Sequence, residues 1–182
     1  MARVTLLTLI EHGIPYRWAA DRSGVPLNIP AYRLRLQLVA VPPDADPDEP
    51  PPRTSDARRR IDAVVDTGAP LTTFGHERWS PFATDIRWLD QPPTATGQPR
   101  RLTLLGGRWT YRLAQVRLGA TDDQNRWLPA VWTPTLCLDA NPATDNLALL
   151  GLRTPLLDRR RLRHSGNTPD DLPIWWLEDD TA

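Results

Sequence analysis

Ala63-Val64-Val65 runs straight into Asp66-Thr67-Gly68-Ala69. An apolar run that meets an aspartate and then a glycine predicts a strand ending in a tight turn. β-Branched residues suit a pleated sheet, and glycine accepts backbone angles that other residues resist. Later in the chain, Leu147-Ala148-Leu149-Leu150-Gly151 makes a second strand stopped by glycine, and Leu152-Arg153-Thr154-Pro155-Leu156-Leu157 follows as a short helix. The pair is far more specific than either half, and residues 154–161 are the best helix candidate in a chain otherwise poor in helix.

Between and around these two segments the pattern is that of strands. Tyr32, Leu34, Leu36 and Leu38 alternate with Arg33, Arg35 and Gln37, the period of two expected of a strand with one wet face. Residues 42–60 hold six prolines and five acidic residues and close on Arg58-Arg59-Arg60. That composition buries little apolar area and predicts an extended, mobile loop. Strands on both sides make it an enlarged hairpin connection, although its length also leaves a domain boundary open. Leu102-Thr103-Leu104-Leu105, Gly106-Gly107 and the alternating Trp109, Tyr111 and Leu113 predict a hairpin with a two-glycine tip. The alternation slips at Ala114 and restarts at Val116 and Leu118, which predicts a bulge. Further strands are expected over 4–10, 127–132, 147–150 and 172–177, with turn signals at Asp21-Arg22-Ser23-Gly24, Asn141-Pro142 and Asp145-Asn146. A second short apolar piece covers 14–19. The plan is an N-terminal extension (1–30), a main domain (31–165, with 42–60 as an insertion) and a C-terminal strand and tail (166–182).

Composition narrows the function classes. At 182 residues, 40% apolar and 24% charged, the chain suits one soluble domain with a real core. Its 22 basic residues are all arginine and balance 22 acidic ones, so no net field favours nucleic acid or an anionic membrane. Cys137 is the single cysteine, which excludes a disulfide framework and a thiolate metal site and fits a reducing cytoplasm. The apolar run at 4–10 is short for a signal peptide and meets Glu11-His12 at once, and no stretch approaches the length of a membrane span.

Taken in order, the strand before Asp66, the Asp-Thr-Gly-Ala turn, the glycine hairpin and Leu149-Leu150-Gly151 resemble the retroviral-type (retropepsin-like) aspartic peptidases, including their single-domain bacterial relatives. The likeness covers about residues 31–162. It implies an all-β, retropepsin-like acid-protease fold, a small closed β-barrel-like domain with one short C-terminal helix. It further implies a homodimer, because each chain of that family supplies one catalytic aspartate, and a peptide or protein substrate with no cofactor. By this resemblance Asp66 is the catalytic carboxylate. Thr67 locks the two catalytic loops through its hydroxyl, and Gly68 lets backbone N–H groups reach the carboxylates. Ala69 matches the small residue that follows, and Thr72 falls where a hydroxyl residue is frequent. Gly106 and Gly107 match the tip of the flap that closes over substrate, and Trp109 is placed to touch it. Departures from the viral pattern are Pro70-Leu71 after Ala69, in place of an acidic residue, and Leu152 after Gly151, in place of arginine. Arg153 comes one position late.

Plainer readings stand beside these. Asp-Thr-Gly also serves as a simple strand-end turn in an unrelated β-sandwich, and the same dimeric fold could bind peptides with weak or absent hydrolysis. His12, His76 and His164 are dispersed, and His76-Glu77 lacks the second histidine of a helical zinc motif, so no metal site is expected. Cys137 and most of the eight tryptophans are expected to pack the core, and Arg58-Arg59-Arg60 to be solvated.

Overall fold

The structure is a computed structural model that describes residues 3–11, 15–16, 27–28, 31–52, 57–66, 69–89, 100–104, 107–151, 154–158, 160–167 and 173–179. The chain is mostly strand. In chain order these are β1 (Arg3–Glu11), β2 (Pro15–Tyr16), β3 (Leu27–Asn28), β4 (Ala31–Ala40), β5 (Arg60–Asp66), β6 (Thr72–Phe74), β7 (Arg87–Trp88), β8 (Arg100–Leu104), β9 (Gly107–Thr121), β10 (Trp127–Leu138), β11 (Ala148–Gly151), β12 (Arg160–Asn167) and β13 (Pro173–Asp179). One short α-helix, α1 (His76–Trp79), lies between β6 and β7.

Six strands close on themselves as a barrel in the order β4, β5, β11, β6, β10, β9, and β9 returns to β4 through Leu38 opposite Ala120 and Ala40 opposite Leu118. Closure leaves these strands no free edge. Alternation sets what faces inward: Leu36 and Leu38 from β4, Ile61 and Ala63 from β5, and Ala114, Val116, Leu118 and Ala120 from β9 form one buried cluster with Phe74, Cys137 and Leu150. Each of the Leu, Ile, Val and Phe side chains in it contributes about 1.5–3 kcal/mol by leaving water. Cys137 is thus a core residue. The tryptophans among the described residues are half-buried rather than internal. Trp79, Trp88 and Trp175 pack on the cluster from outside; the Trp79 indole donates to the Leu138 carbonyl at 2.9 Å, whereas the Trp175 indole nitrogen is buried without a hydrogen-bond partner among the described residues.

The barrel extends into a three-stranded arm. β1 pairs through residues 3–6 with β13 and through residues 7–11 with β4, and β12 pairs on the far side of β13. The arm is pinned to the barrel by Asp123 in the β9–β10 turn, whose carboxylate accepts the Thr5 N–H at 2.6 Å and the Thr5 hydroxyl at 2.7 Å. That turn has its own clasp at Asp122. Oδ1 accepts the N–H groups of Gln124 (2.9 Å) and Arg126 (2.8 Å), and Oδ2 accepts the Arg126 guanidinium at 2.7 Å. Burial by itself raises the Asp122 pKa, but the hydrogen bonds from Arg126 and Gln124 outweigh it and hold the carboxyl below its usual value.

Four expectations need correction. The segment 42–52 is docked rather than mobile. One Arg117 guanidinium nitrogen donates to the carbonyls of Pro42, Pro43 and Ala45, while the Trp127 indole and the Ala130 N–H both donate to Pro47 O, at 2.8 and 2.9 Å. Prolines cannot pair with one another, but their carbonyls accept from the barrel wall. It still joins β4 to β5, which pair antiparallel with Leu38 opposite Ile61. The slip at Ala114 is not a bulge, since β9 is continuous. Its buried face changes where the strand leaves the hairpin with β8 and enters the barrel wall, and the register shift lies on β10 between Leu128 and Val131. The helix expected over 154–161 is a single 3-10 turn, Pro155–Leu157, and strand resumes at Arg160. Finally, Gly107 is the first residue of β9 and pairs with Leu104, so it belongs to the hairpin arm and not its tip. The turn signal at 21–24 and most of the 14–19 piece lie outside the described residues.

Candidate active site

Asp66 is the last residue of β5, and its neighbour across the parallel pairing with β11 is Gly151. The two motifs that dominate the sequence therefore meet side by side. Ile61 and Ala63 are buried and Val65 packs on the core, so alternation directs Asp66, with Asp62 and Val64, away from the barrel interior. Asp66 itself is half-buried. A carboxylate so placed is reachable by water, substrate or a second chain, which one aimed into the core would not be.

The backbone after Asp66 crosses the end of β11. The chain leaves β5 on one side of that strand and returns as β6 on its other side, with Leu149 opposite Thr73. The crossing is tight. A Cβ built on Gly151 would stand 2.4 Å from the Leu71 carbonyl carbon and 2.8 Å from the Ala69 carbonyl oxygen, so glycine is required where the crossing loop rests on β11. Ala69 is buried, and its N–H donates to the Asp66 carbonyl at 3.3 Å. Thr67 and Gly68 lie outside the described residues.

Beneath the crossing sits a set of buried hydroxyls. Thr72 Oγ1 and Thr154 Oγ1 are 2.8 Å apart, with side chains 0% and 1% exposed, and tie the end of the Asp66 loop to the segment that follows Gly151. Thr73 Oγ1 donates to Leu71 O at 3.3 Å, and Thr135, directly beside Thr72 in the parallel pairing of β10 with β6, is buried too. A buried hydroxyl without a partner is costly, so each of Thr72 and Thr154 satisfies the other. Sequence reading flagged Thr72 through the resemblance and missed Thr154 and Thr135. Thr154 has no local pattern to mark it, since its partner lies 82 residues away.

The β8–β9 hairpin carries the remaining candidates. The Trp109 indole folds back over Gly107, where a Cβ would come within 2.5 Å of the ring, and this accounts for glycine there. Gly106 lies outside the described residues. By register, Trp109 extends past the Leu138 end of β10 and lines a cavity with Arg101, Arg108, Thr110, Asp139 and Asn141. Asp66 is not part of that cavity. The structure thus joins Asp66, Ala69 and Gly151 in one place and puts Gly107 and Trp109 in another. Of the histidines, His76 stands edge-on to Trp79 at 5.0 Å and His164 against Trp175 at 4.7 Å. Among the described residues no group of three or more His, Cys, Asp or Glu is placed to hold a metal ion, and no helix is long and apolar enough to cross a membrane.

Neither a protein-family model nor a curated protein matches the chain. Among solved structures it is similar to a retropepsin-like aspartic protease from Rickettsia conorii, at 14% identity over 94% of this chain and 93% of that one, with a TM-score of 0.39. What bears on chemistry here is the surroundings of Asp66.

Proposed function

We propose that the chain is a retropepsin-like aspartic endopeptidase whose active site forms when Asp66 of one protomer meets Asp66 of its partner in a homodimer. One observation carries this reading. Asp66 ends its strand beside Gly151, outside the barrel core, on a loop that crosses β11 in backbone contact and is tied down by the Thr72–Thr154 pair. A carboxylate held outside the core is what a shared dyad requires.

Two carboxylates held close cannot both ionise easily, so one keeps its proton. The ionised partner takes a proton from a water as it attacks the peptide carbonyl, while the protonated one gives its proton to the developing oxyanion. The proton taken from water then passes to the leaving amine as the C–N bond breaks, and the carboxylate that had protonated the oxyanion recovers its proton from that hydroxyl. The dyad titrates as a unit. Thr67 and Gly68 keep their assigned roles in this proposal, with Ala69 beside them and Gly106, Gly107 and Trp109 as the covering hairpin. Closure over an extended peptide would exclude water from the reaction.

The test is cleavage of a mixed peptide pool by the wild type and by Asp66→Asn from acidic to neutral pH, with products read by mass spectrometry. Cleavage that disappears in the variant supports the proposal, and cleavage that persists in it overturns it. A second reading, a peptide-binding module without hydrolysis, is favoured by the cavity beside Trp109, whose lining does not include Asp66. Binding without Asp66-dependent cleavage at any pH would select it.

A further inference from the structure

We propose that the cavity between the β8–β9 hairpin and residues 139–141 receives an acidic side chain of an extended peptide. The cavity measures about 250 Å³, enough for a Glu side chain, and its walls include Arg101, Arg108, Thr110, Asp139 and Asn141. Register explains how the two arginines come together. Arg101 lies opposite Thr110 and Arg108 opposite Thr103, so all four share one face of the hairpin. Arg101 and Arg108 are both exposed, and both line the same hollow.

The acid in the wall is already engaged. The Asp139 carboxylate accepts the Thr110 hydroxyl, and the Asp139 N–H donates to Thr110 O at 3.1 Å, so this aspartate braces the hairpin against the 139–141 segment. Asn141 Oδ1 accepts the Ala143 N–H at 3.0 Å, which leaves the Asn141 amide NH2 as a donor. Two guanidinium groups against one carboxylate leave the hollow positive and rich in donors. Arginine forks match a ligand carboxylate geometrically as well as electrically.

The ligand is assigned as a peptide because of the adjoining strand edge. Among the described residues β8 pairs with β9 alone, and Arg101 lies on that strand, so an extended chain laid along β8 would pass the hollow. This inference rests on the reading of the hairpin as a peptide-covering element. It adds a preference for Asp or Glu at one substrate position.

Binding is measured with the full-length Asp66→Asn chain, in which turnover is blocked. Two pools of acetylated, amidated, fluorescently labelled peptides differ at one fixed central position, Glu in one pool and Gln in the other. Expected is roughly 10-fold tighter binding of the Glu pool at low salt, a preference that shrinks as salt rises and is lost in Arg101→Gln/Arg108→Gln. Near-ultraviolet circular dichroism checks that the variant keeps its packing. Equal affinity for both pools, a preference that survives the double substitution, or no binding of either pool overturns the inference. Competition by free glutamate or sulfate as effective as that by the Glu peptides would reveal a bare anion site and overturn the peptide assignment. The two proposals fail separately. Absence of cleavage by the wild type with the Glu preference intact removes the peptidase reading alone, and cleavage without the preference removes this one alone.

Discussion

Gly151 shows at the residue scale how little room the Asp66 crossing leaves. Gly151→Ala forces a methyl group into the Ala69–Leu71 backbone, which cannot swing aside as a side chain would. The expected cost is about 1–3 kcal/mol, read as a lower urea midpoint, by analogy with overpacked cores. The Thr72–Thr154 pair permits a sharper test. Thr154→Val keeps the shape but strands the Thr72 hydroxyl, at an expected cost of about 1–3 kcal/mol, whereas Thr72→Val/Thr154→Val removes both polar groups and should recover part of the loss. Strictly additive costs in urea titrations would show that the 2.8 Å approach is not a coupled hydrogen bond. Asp66 and Gly151 were legible in the sequence because each sits at the end of an apolar run. Thr154 was not, since a buried hydroxyl looks like any surface threonine until its distant partner is known.

At the scale of elements, the Asp122 turn carries the clearest pH dependence. Its folded pKa is depressed, because the donors from Arg126 and Gln124 outweigh the burial that opposes ionisation. The carboxylate therefore contributes stability that is present above its unfolded pKa, about 4, and lost as pH falls through the lower folded value. Asp122→Asn should lower the urea midpoint at pH 7, and the gap from wild type should close on acidification below about pH 4. A gap that is constant with pH would mean the carboxylate acts by shape alone. Elements with strict alternation, β4 above all, were readable because one face is wet and the other buried. The short helix after Gly151 was misread because Leu156-Leu157 satisfies the start of a helical pattern, but Arg160 onward finds a strand partner in β13. The docking of 42–52 was invisible for a related reason: the Arg117 that holds it comes from β9, far along the chain.

The whole-molecule question is whether one chain suffices. A single protomer supplies one Asp-Thr-Gly, so the proposed chemistry needs two chains, whereas the closed barrel and its arm are complete within one. Pairings such as Val4 with Leu177 bring the two ends of the chain together, and no local pattern announces them. Mixing separates the alternatives. If wild-type and Asp66→Asn chains exchange freely at equal amounts, about a quarter of the dimers are wild type on both sides, so activity falls to about half that of the same wild-type protein left unmixed. Specific activity should also fall on dilution in step with the dimer fraction measured by sedimentation. Activity that is unchanged after exchange and independent of dilution would mean that a single Asp66 does the work, and the dyad mechanism would have to be abandoned even if cleavage itself were secure.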